Sequence, residues 1–157
     1  MSSSGVEETP PADPAEAARR IRETLRDDKS GRPISGSQLR EALRCGHEAV
    51  AEGHRALTKA WGSPLSLFGA AAEAAAARKG VPADAVSAVS RARALVDEAA
   101  ALGDRTDAYE AQIVIARREG RGVRRDALVG HLDALDELAG RLRRHLPLLE
   151  AARTAFD

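Results

Sequence analysis

Apolar and small residues recur along the chain with steps of four and three residues. One such run consists of Leu39, Leu43, Gly46, Val50, Gly53, Leu57 and Ala60. Alternating steps of four and three keep all members of a run on one narrow stripe of an α-helix. This stripe therefore predicts close packing against a second helix.

Two further stretches repeat this pattern. The last stretch of the chain carries Leu128, Leu132, Leu135, Ala139, Leu142, Leu146 and Leu149, and a stretch in between carries Val89, Ala92, Val96 and Ala99. No stretch shows a convincing alternation of apolar and polar residues with the period of a β-strand. The sequence thus predicts an all-α fold, an antiparallel helical bundle of five to six helices that cross at about 20°.

Two glycines lie on the first stripe, although glycine inside a helix costs about 1 kcal/mol relative to alanine. Gly46 and Gly53 alternate there with the larger Leu43, Val50 and Leu57. We expect another helix backbone to lie very close at these two positions. The predicted helix–helix seam consists of Leu39, Leu43, Gly46, Val50, Gly53, Leu57, Leu128, Leu132, Leu135 and Leu142.

Composition divides the chain into two parts. Residues 1–12 are mainly Ser, Glu and Pro with little to bury, and they predict a disordered leader. Residues 13–157 contain all the apolar stripes, and they predict a single helical-bundle domain.

Capping residues and helix breakers predict where the helices begin and end. Asp13 begins the first helix, and Ser35 caps a long second helix that ends near Trp61. An Ala-rich helix then begins at Ser63 and Pro64. Gly103 is predicted to end a later helix, with a separate shorter helix after it.

Composition and charge narrow the function classes. The 157 residues carry 24 basic and 24 acidic side chains, so no net charge draws the whole protein toward nucleic acid or an anionic membrane. Cys45 is the only cysteine, which excludes an internal disulfide and a multi-cysteine zinc site and suits a reducing compartment. Of the 24 basic residues 21 are Arg, which, with the abundant Ala, suggests a GC-rich bacterial source.

The sequence shows neither a signal peptide nor a membrane span. The N-terminal residues have no basic segment followed by an apolar one, and the longest apolar run is short and interrupted by Glu73. We therefore expect a cytoplasmic protein that does not interact with a membrane.

Four histidines raise the question of a metal or cofactor. His47 and His54 each follow a seam glycine, and seven residues of helix separate them by about 10.5 Å, too far for one metal ion. The residues three positions before the histidines are Arg44, Ala51, Leu128 and Leu142, so the Glu-x-x-His motif of di-iron bundles is absent. We expect no metal and no cofactor, although a histidine-ligated cofactor between helices, with His131 or His145, stays open as a hypothesis.

The densest local charge is the stretch RREGRGVRR at residues 117–125. Its arginines are Arg117, Arg118, Arg121, Arg124 and Arg125. Guanidinium groups match phosphate geometry, and glycines let a backbone approach an anion, so this turn is a candidate nucleic-acid or phosphate site. The zero net charge and the 3% aromatic content oppose nucleic-acid binding. Arginines at a helix C-terminus also complement the helix dipole without any ligand.

No Walker loop, GxSxG elbow, HExxH motif or dinucleotide fingerprint is present, and no catalytic residue is predicted. The narrow small-residue stripes favour a non-enzymatic protein-interaction module of a bacterial cytoplasm, with a protein partner or a second copy of the chain as its ligand. The alternative is a nucleic-acid or phosphate-binding accessory protein that acts through Arg117–Arg125.

Overall fold

The computed structural model describes residues 13–27, 35–121 and 125–157, and every regular element in these ranges is helical. The elements are α1 (Pro14–Asp27), α2 (Gly36–Trp61), a 3₁₀ turn (Leu65–Leu67), α3 (Ala70–Arg78), α4 (Ala83–Arg118) and α5 (Arg125–Phe156). The prediction of an all-α bundle is confirmed. Residues 1–12, predicted to be a disordered leader, lie outside the described residues.

The ends of α2 follow from local chemistry. The Ser35 side chain accepts a hydrogen bond from the backbone N–H of Gln38 at 3.2 Å, which satisfies one of the free N–H groups at the start of the helix. At the other end Gly62 has a φ of 90°, a left-handed conformation that suits glycine and ends the helix. Beyond it, the predicted continuous Ala-rich helix is instead a 3₁₀ turn followed by the short α3.

The predicted helix end at Gly103 is wrong, because α4 runs without interruption for 36 residues. Buried residues on both sides, Ala99 and Thr106, hold the helix against its neighbours. This packing outweighs the helix propensity that a single glycine loses, about 1 kcal/mol. The helix ends instead near Gly120, where φ is 69°.

The long helices alternate in direction along the chain. Thr106 on α4 lies beside His131 on α5, and Ala88 lies beside His145, so α4 and α5 are antiparallel. By contrast, a side chain at Gly46 on α2 would meet Leu135 on α5, and one at Gly53 would meet Leu142. Residue numbers thus rise together, and α2 and α5 run parallel, as diagonal members of an alternating bundle do.

The parallel pair α2 and α5 forms the centre of the molecule. Both α1 and α4 pack against both members of this pair, but α1 and α4 scarcely contact each other, so they lie on opposite sides of it. Arg22 of α1 is buried and forms ion pairs with Asp133 at 3.1 Å and Asp136 at 2.9 Å on α5. This pairing fixes the short α1 along α5.

An aromatic cluster closes one end of the bundle. The rings of Trp61, Phe68 and Phe156 meet edge to face, with centroids 5.0–5.9 Å apart. Arg153 lies over the Trp61 ring at 5.5 Å, and its Nε donates to the Trp61 carbonyl at 3.1 Å. The cluster joins the end of α2, the residue after the 3₁₀ turn and the end of α5.

Candidate interaction surface

The structure places the predicted seam residues between helices of the same chain. All are buried except Gly53, which is half-buried: Leu39, Leu43, Gly46, Val50, Gly53, Leu57, Leu128, Leu132, Leu135 and Leu142. These stripes therefore form the interior of the bundle and leave no seam surface for a partner.

The two seam glycines make room for leucine side chains. A Cβ atom at Gly53 would lie 2.7 Å from the Cβ of Leu142, and one at Gly46 would lie 3.0 Å from a terminal methyl group of Leu135. At Gly53 the nearest atom is the Cβ of Leu142, which is bonded directly to the α5 backbone, so the two helices lie close together there. At Gly46 the nearest atom is the end of a leucine side chain.

The four histidines do not converge. His131 Nε2 lies 2.8 Å from the Thr106 hydroxyl, which itself donates to the Leu102 carbonyl at 2.9 Å. The single hydroxyl proton is thus used, so Nε2–H of His131 is the donor to Thr106. Burial lowers the pKa of His131, and the nearby positive charge of Arg105 lowers it further.

The other histidines have separate surroundings. His145 is buried and its Nε2–H donates to the Ala88 carbonyl at 2.7 Å, whereas His47 is exposed and His54 is half-buried. Within the described ranges, no group of three or more His, Cys, Asp or Glu side chains is arranged to hold a metal ion.

The single cysteine has a carboxylate as its hydrogen-bond acceptor. Cys45 is buried, and its thiol lies 3.5 Å from a carboxylate oxygen of Glu41. Burial and that carboxylate raise the pKa of Cys45. The thiol is therefore protonated at neutral pH, the form that is a poor nucleophile.

The arginine-rich stretch is only partly open to a ligand. The side chain of Arg117 covers the α-carbon of Gly36, and Arg121 forms an ion pair with Glu119 at 2.5 Å. Arg118 is exposed at the end of α4. Outside the described part of the chain lie Arg124 and the side chain of Arg125.

The backbone of this turn is already engaged. The N–H of Arg121 donates to the Ala116 carbonyl at 2.8 Å, and the N–H of Gly120 donates to the Arg117 carbonyl at 3.3 Å. This pair of bonds is a Schellman motif that caps α4. The backbone N–H groups of Gly120 and Arg121 are therefore not available to bind a phosphate, and an anion at these two residues would be held by side chains alone.

An open groove lies between the N-terminal half of α4 and the C-terminal half of α5, and we call it the α4–α5 groove. Two adjoining cavities of about 630 and 480 Å³ form it, and both are lined by Arg91, His145 and Leu148. His145 forms its floor, where the bond to the Ala88 carbonyl ties the two helices together.

One half of the groove is lined by small apolar residues. Leu148 is 57% exposed and lies next to this half. Ala151 and Ala155 follow Leu148 by three and seven residues, so all three lie on one face of α5. The alanines that line the cavity are Ala85, Ala88, Ala151, Ala152 and Ala155.

The other half of the groove is basic. Arg141 forms an ion pair with Glu98 at 2.9 Å. Arg91 and Arg144 have no acidic partner within 4 Å among the described residues. Asp84 lies at the far end of the apolar half, where its carboxylate accepts the N–H of Ala85 at 2.9 Å.

Sequence reasoning missed this groove. The signal was available, since Leu148, Ala151 and Ala155 lie outside the stripe that α5 directs to the core. These residues indicate a groove only once the neighbouring helix is known, because isolated exposed apolar residues are common on protein surfaces.

Comparisons of the chain with protein-family models, with curated proteins and with solved structures found no match. Among the described helices, none has both the length and the apolar character that crossing a bilayer requires.

Proposed function

We propose that the protein is a non-enzymatic interaction module that binds a helical segment of a protein partner in the α4–α5 groove. The observation that carries this proposal is the position of Leu148. It is 57% exposed in the middle of a concave, alanine-lined surface. Large apolar side chains in a groove of this kind mark contact sites more often than those scattered over a convex surface.

The dimensions of the groove suit a helix. Arg141 and Ala155 mark its two ends on α5, and the helical rise between them is about 21 Å, or about four turns. The small side chains of the alanines let a second helix approach closely, as in other helix-in-groove complexes.

The chemistry of the groove defines the matching segment. An apolar side chain of the partner contacts Leu148 and the alanines, and carboxylates contact Arg91 and Arg144. Complete burial of Leu148 contributes about 1–2 kcal/mol, and exposed ion pairs contribute about 0.2–1 kcal/mol each. The charges therefore set orientation and partner choice more than affinity.

The setting we propose is the cytoplasm of a bacterium, on the basis of the single cysteine and the arginine-rich composition. Membrane binding is not part of this proposal.

The alternative function is nucleic-acid or phosphate binding through Arg117–Arg125. The exposed Arg118 supports it, whereas the ion pair of Arg121 with Glu119 and the engaged turn amides oppose it. A gel-shift assay with random DNA and RNA at low and moderate salt tests it. Retention at low salt that Arg118→Glu abolishes would favour this alternative, because such binding depends on phosphate contacts.

Two matched leucine variants test the proposed function. Leu148→Arg places a charge in the groove, and Leu67→Arg places the same charge at a leucine that is 73% exposed outside it. Each variant and the parent chain are immobilised and incubated with host extract. A protein retained by the parent and by Leu67→Arg, but not by Leu148→Arg, is then purified and titrated against all three.

We expect saturable binding to the parent chain that Leu148→Arg weakens by at least about tenfold. If every bound protein, including a second copy of the chain, binds Leu148→Arg as tightly as the parent, the groove is not the interaction site and the proposed function fails.

A further inference from the structure

We propose that the chain forms a two-fold symmetric dimer through the C-terminal half of α4, which packs antiparallel against the same segment of a second copy. This surface is separate from the α4–α5 groove, whose α4 residues lie between Asp84 and Glu98. The inference therefore does not depend on the proposed function.

The C-terminal half of α4 carries a stripe of four-three spacing on the side that faces away from the bundle. We call it the outer stripe, and its five members are all exposed: Asp104, Ala108, Ala111, Ile115 and Arg118. At about 100° per residue, the buried Thr106 and Ile113 lie on the opposite side of the helix. The outer stripe thus lies on the outside of the molecule, where no described helix of the same chain blocks the approach of a second copy.

The middle of the outer stripe is apolar. Ile115 is 47% exposed, and the adjacent Ala108 and Ala111 have small side chains that let a second helix come close. A large residue beside small ones is the pattern that packs between the helices of the bundle itself.

The ends of the outer stripe carry opposite charges. Asp104 and Arg118 are 14 residues apart, which corresponds to about 21 Å along the helix. Ala111 lies midway, seven residues from each. Neither Asp104 nor Arg118 forms an ion pair with another described residue.

This arrangement is self-complementary, as a two-fold interface must be. A two-fold axis perpendicular to the helix at Ala111 places Asp104 of each copy opposite Arg118 of the other. Ile115 of each copy then lies beside Ala108 of the other, about 1.5 Å apart along the helix axis. A parallel alignment in register would instead set Asp104 against Asp104 and Arg118 against Arg118, and both pairs would repel.

The charges beside the outer stripe agree with the antiparallel arrangement. Arg105 and Glu119 lie on one flank of the stripe, and the same flanks of the two copies meet in this geometry. Arg105 therefore approaches Glu119 of the other copy, in addition to the ion pair that Glu119 forms with Arg121 at 2.5 Å. On the other flank, Asp107 lies close to the level of Arg118 of the other copy.

The size of the contact predicts a weak dimer. One helix about 10 Å wide, in contact over about 21 Å, gives a footprint of about 200 Å² on each copy. A standard stable interface covers roughly 800 Å² on each partner. We therefore expect a dissociation constant of about 100 µM or weaker, so that covalent trapping is the sensitive test.

Two cysteine variants trap the dimer and report its register. The residue at the axis is replaced in Ala111→Cys, and the control Ala108→Cys replaces another exposed alanine of the same stripe. The two Cys side chains of Ala111→Cys face each other, whereas those of Ala108→Cys are about 9 Å apart along the helix, too far for a disulfide that needs α-carbons about 4.4–6.8 Å apart.

Each variant is oxidised with diamide at about 100 µM, and the disulfide dimer is followed on a non-reducing gel. We expect the dimer of Ala111→Cys to form at least about tenfold faster than that of Ala108→Cys. The parent chain, whose single Cys45 is buried, gives the background. Circular dichroism establishes that each variant is folded. Equal rates for the two variants would overturn the inference.

A charge swap in the Ala111→Cys chain tests the orientation. Asp104→Arg and Arg118→Asp should each slow trapping by at least about fivefold, because each variant sets like charges against each other across the axis. An equimolar mixture should form the mixed dimer at the rate of the unswapped chain, because one copy then offers two arginines and the other two aspartates at the facing positions. Mass spectrometry identifies the mixed dimer.

The outcomes separate this inference from the proposed function. If neither charge variant slows trapping, or if the mixture does not restore it, the antiparallel contact through α4 is wrong. Leu148→Arg in the Ala111→Cys chain should trap at an unchanged rate, since Leu148 lies in the α4–α5 groove. A loss of trapping in that variant would assign the dimer to the groove and overturn this inference without contradicting the proposed function.

Discussion

Two faces of α5 both carry a leucine beside small residues, but the leucines of one face are buried and the leucine of the other is exposed. On one face Leu135 and Leu142 fill the space beside the glycines of α2, and both leucines are fully buried. On the other face Leu148 lies beside alanines and stays 57% exposed, because no described helix covers it. A leucine next to small residues therefore occurs on a covered face and on an open one, and the pattern alone does not tell the two apart.

The largest expected effect compares one leucine from each face. Leu142→Ala should lower the free energy of unfolding by about 2–5 kcal/mol, because it removes fully buried methyl groups and leaves a cavity. Leu148→Ala should change it by less than about 0.5 kcal/mol at concentrations where the chain is monomeric. Urea denaturation of both variants measures the difference. Equal losses would show that the two faces are equally covered.

The next effect concerns the glycines beside the covered face. Gly53→Ala should lower the free energy of unfolding by about 1–2 kcal/mol, because its Cβ would lie 2.7 Å from the Cβ of Leu142 and the overpacking exceeds the gain in helix propensity. Gly130→Ala on α5 is the matched control. Apart from its chain neighbours and the backbone of its own helix, no atom lies within 4 Å of its Cβ position, so the free energy of unfolding should rise by up to about 1 kcal/mol.

The two substitutions should therefore have opposite signs in the same denaturation assay. Gly46→Ala should fall between them, since the nearest atom is a terminal methyl group of Leu135 at 3.0 Å, which a rotamer change can move. A stabilising Gly53→Ala would contradict the close approach of α2 and α5.

The smallest expected effect is a pH dependence at His131. Burial and the charge of Arg105 lower its pKa in the folded chain below the ordinary value near 6.5, so the unfolded chain binds the proton more readily. Stability should therefore fall as pH drops below about 6.5 and towards the folded pKa. Denaturation midpoints between pH 7.5 and pH 5 measure this loss.

His131→Gln is the control for this pH effect. Its amide keeps a donor for the Thr106 hydroxyl but does not titrate, so the variant should lose part of the pH dependence. An unchanged slope in this variant would assign the effect to other groups.

The helical class and the interior stripes were predictable because a four-three spacing of apolar residues reflects the geometry of a single helix. The start of α2 was equally local, since Ser35 caps it through its own side chain. The continuity of α4 was not predictable from Gly103, because Ala99 and Thr106 are held by residues distant in sequence.

The arrangement of the helices was harder to predict. An apolar stripe predicts that a helix face is covered, but it does not identify the covering helix or the direction of that helix. The parallel pairing of α2 and α5 therefore did not follow from the pattern. The α4–α5 groove depends on the same information. Its residues, such as Arg91 and Leu148, come together only when the two helices are placed side by side.

The chain's one tryptophan and one tyrosine lie at opposite ends of the molecule. Trp61 packs against Phe156, near the end of α5, whereas Tyr109 stacks near His131 and reaches the Ala127 carbonyl at 3.4 Å, near its beginning. Along α5 these positions are separated by about 40 Å. Each end of the molecule thus carries an intrinsic fluorophore. Fluorescence can therefore distinguish local unfolding at one end from local unfolding at the other without any label.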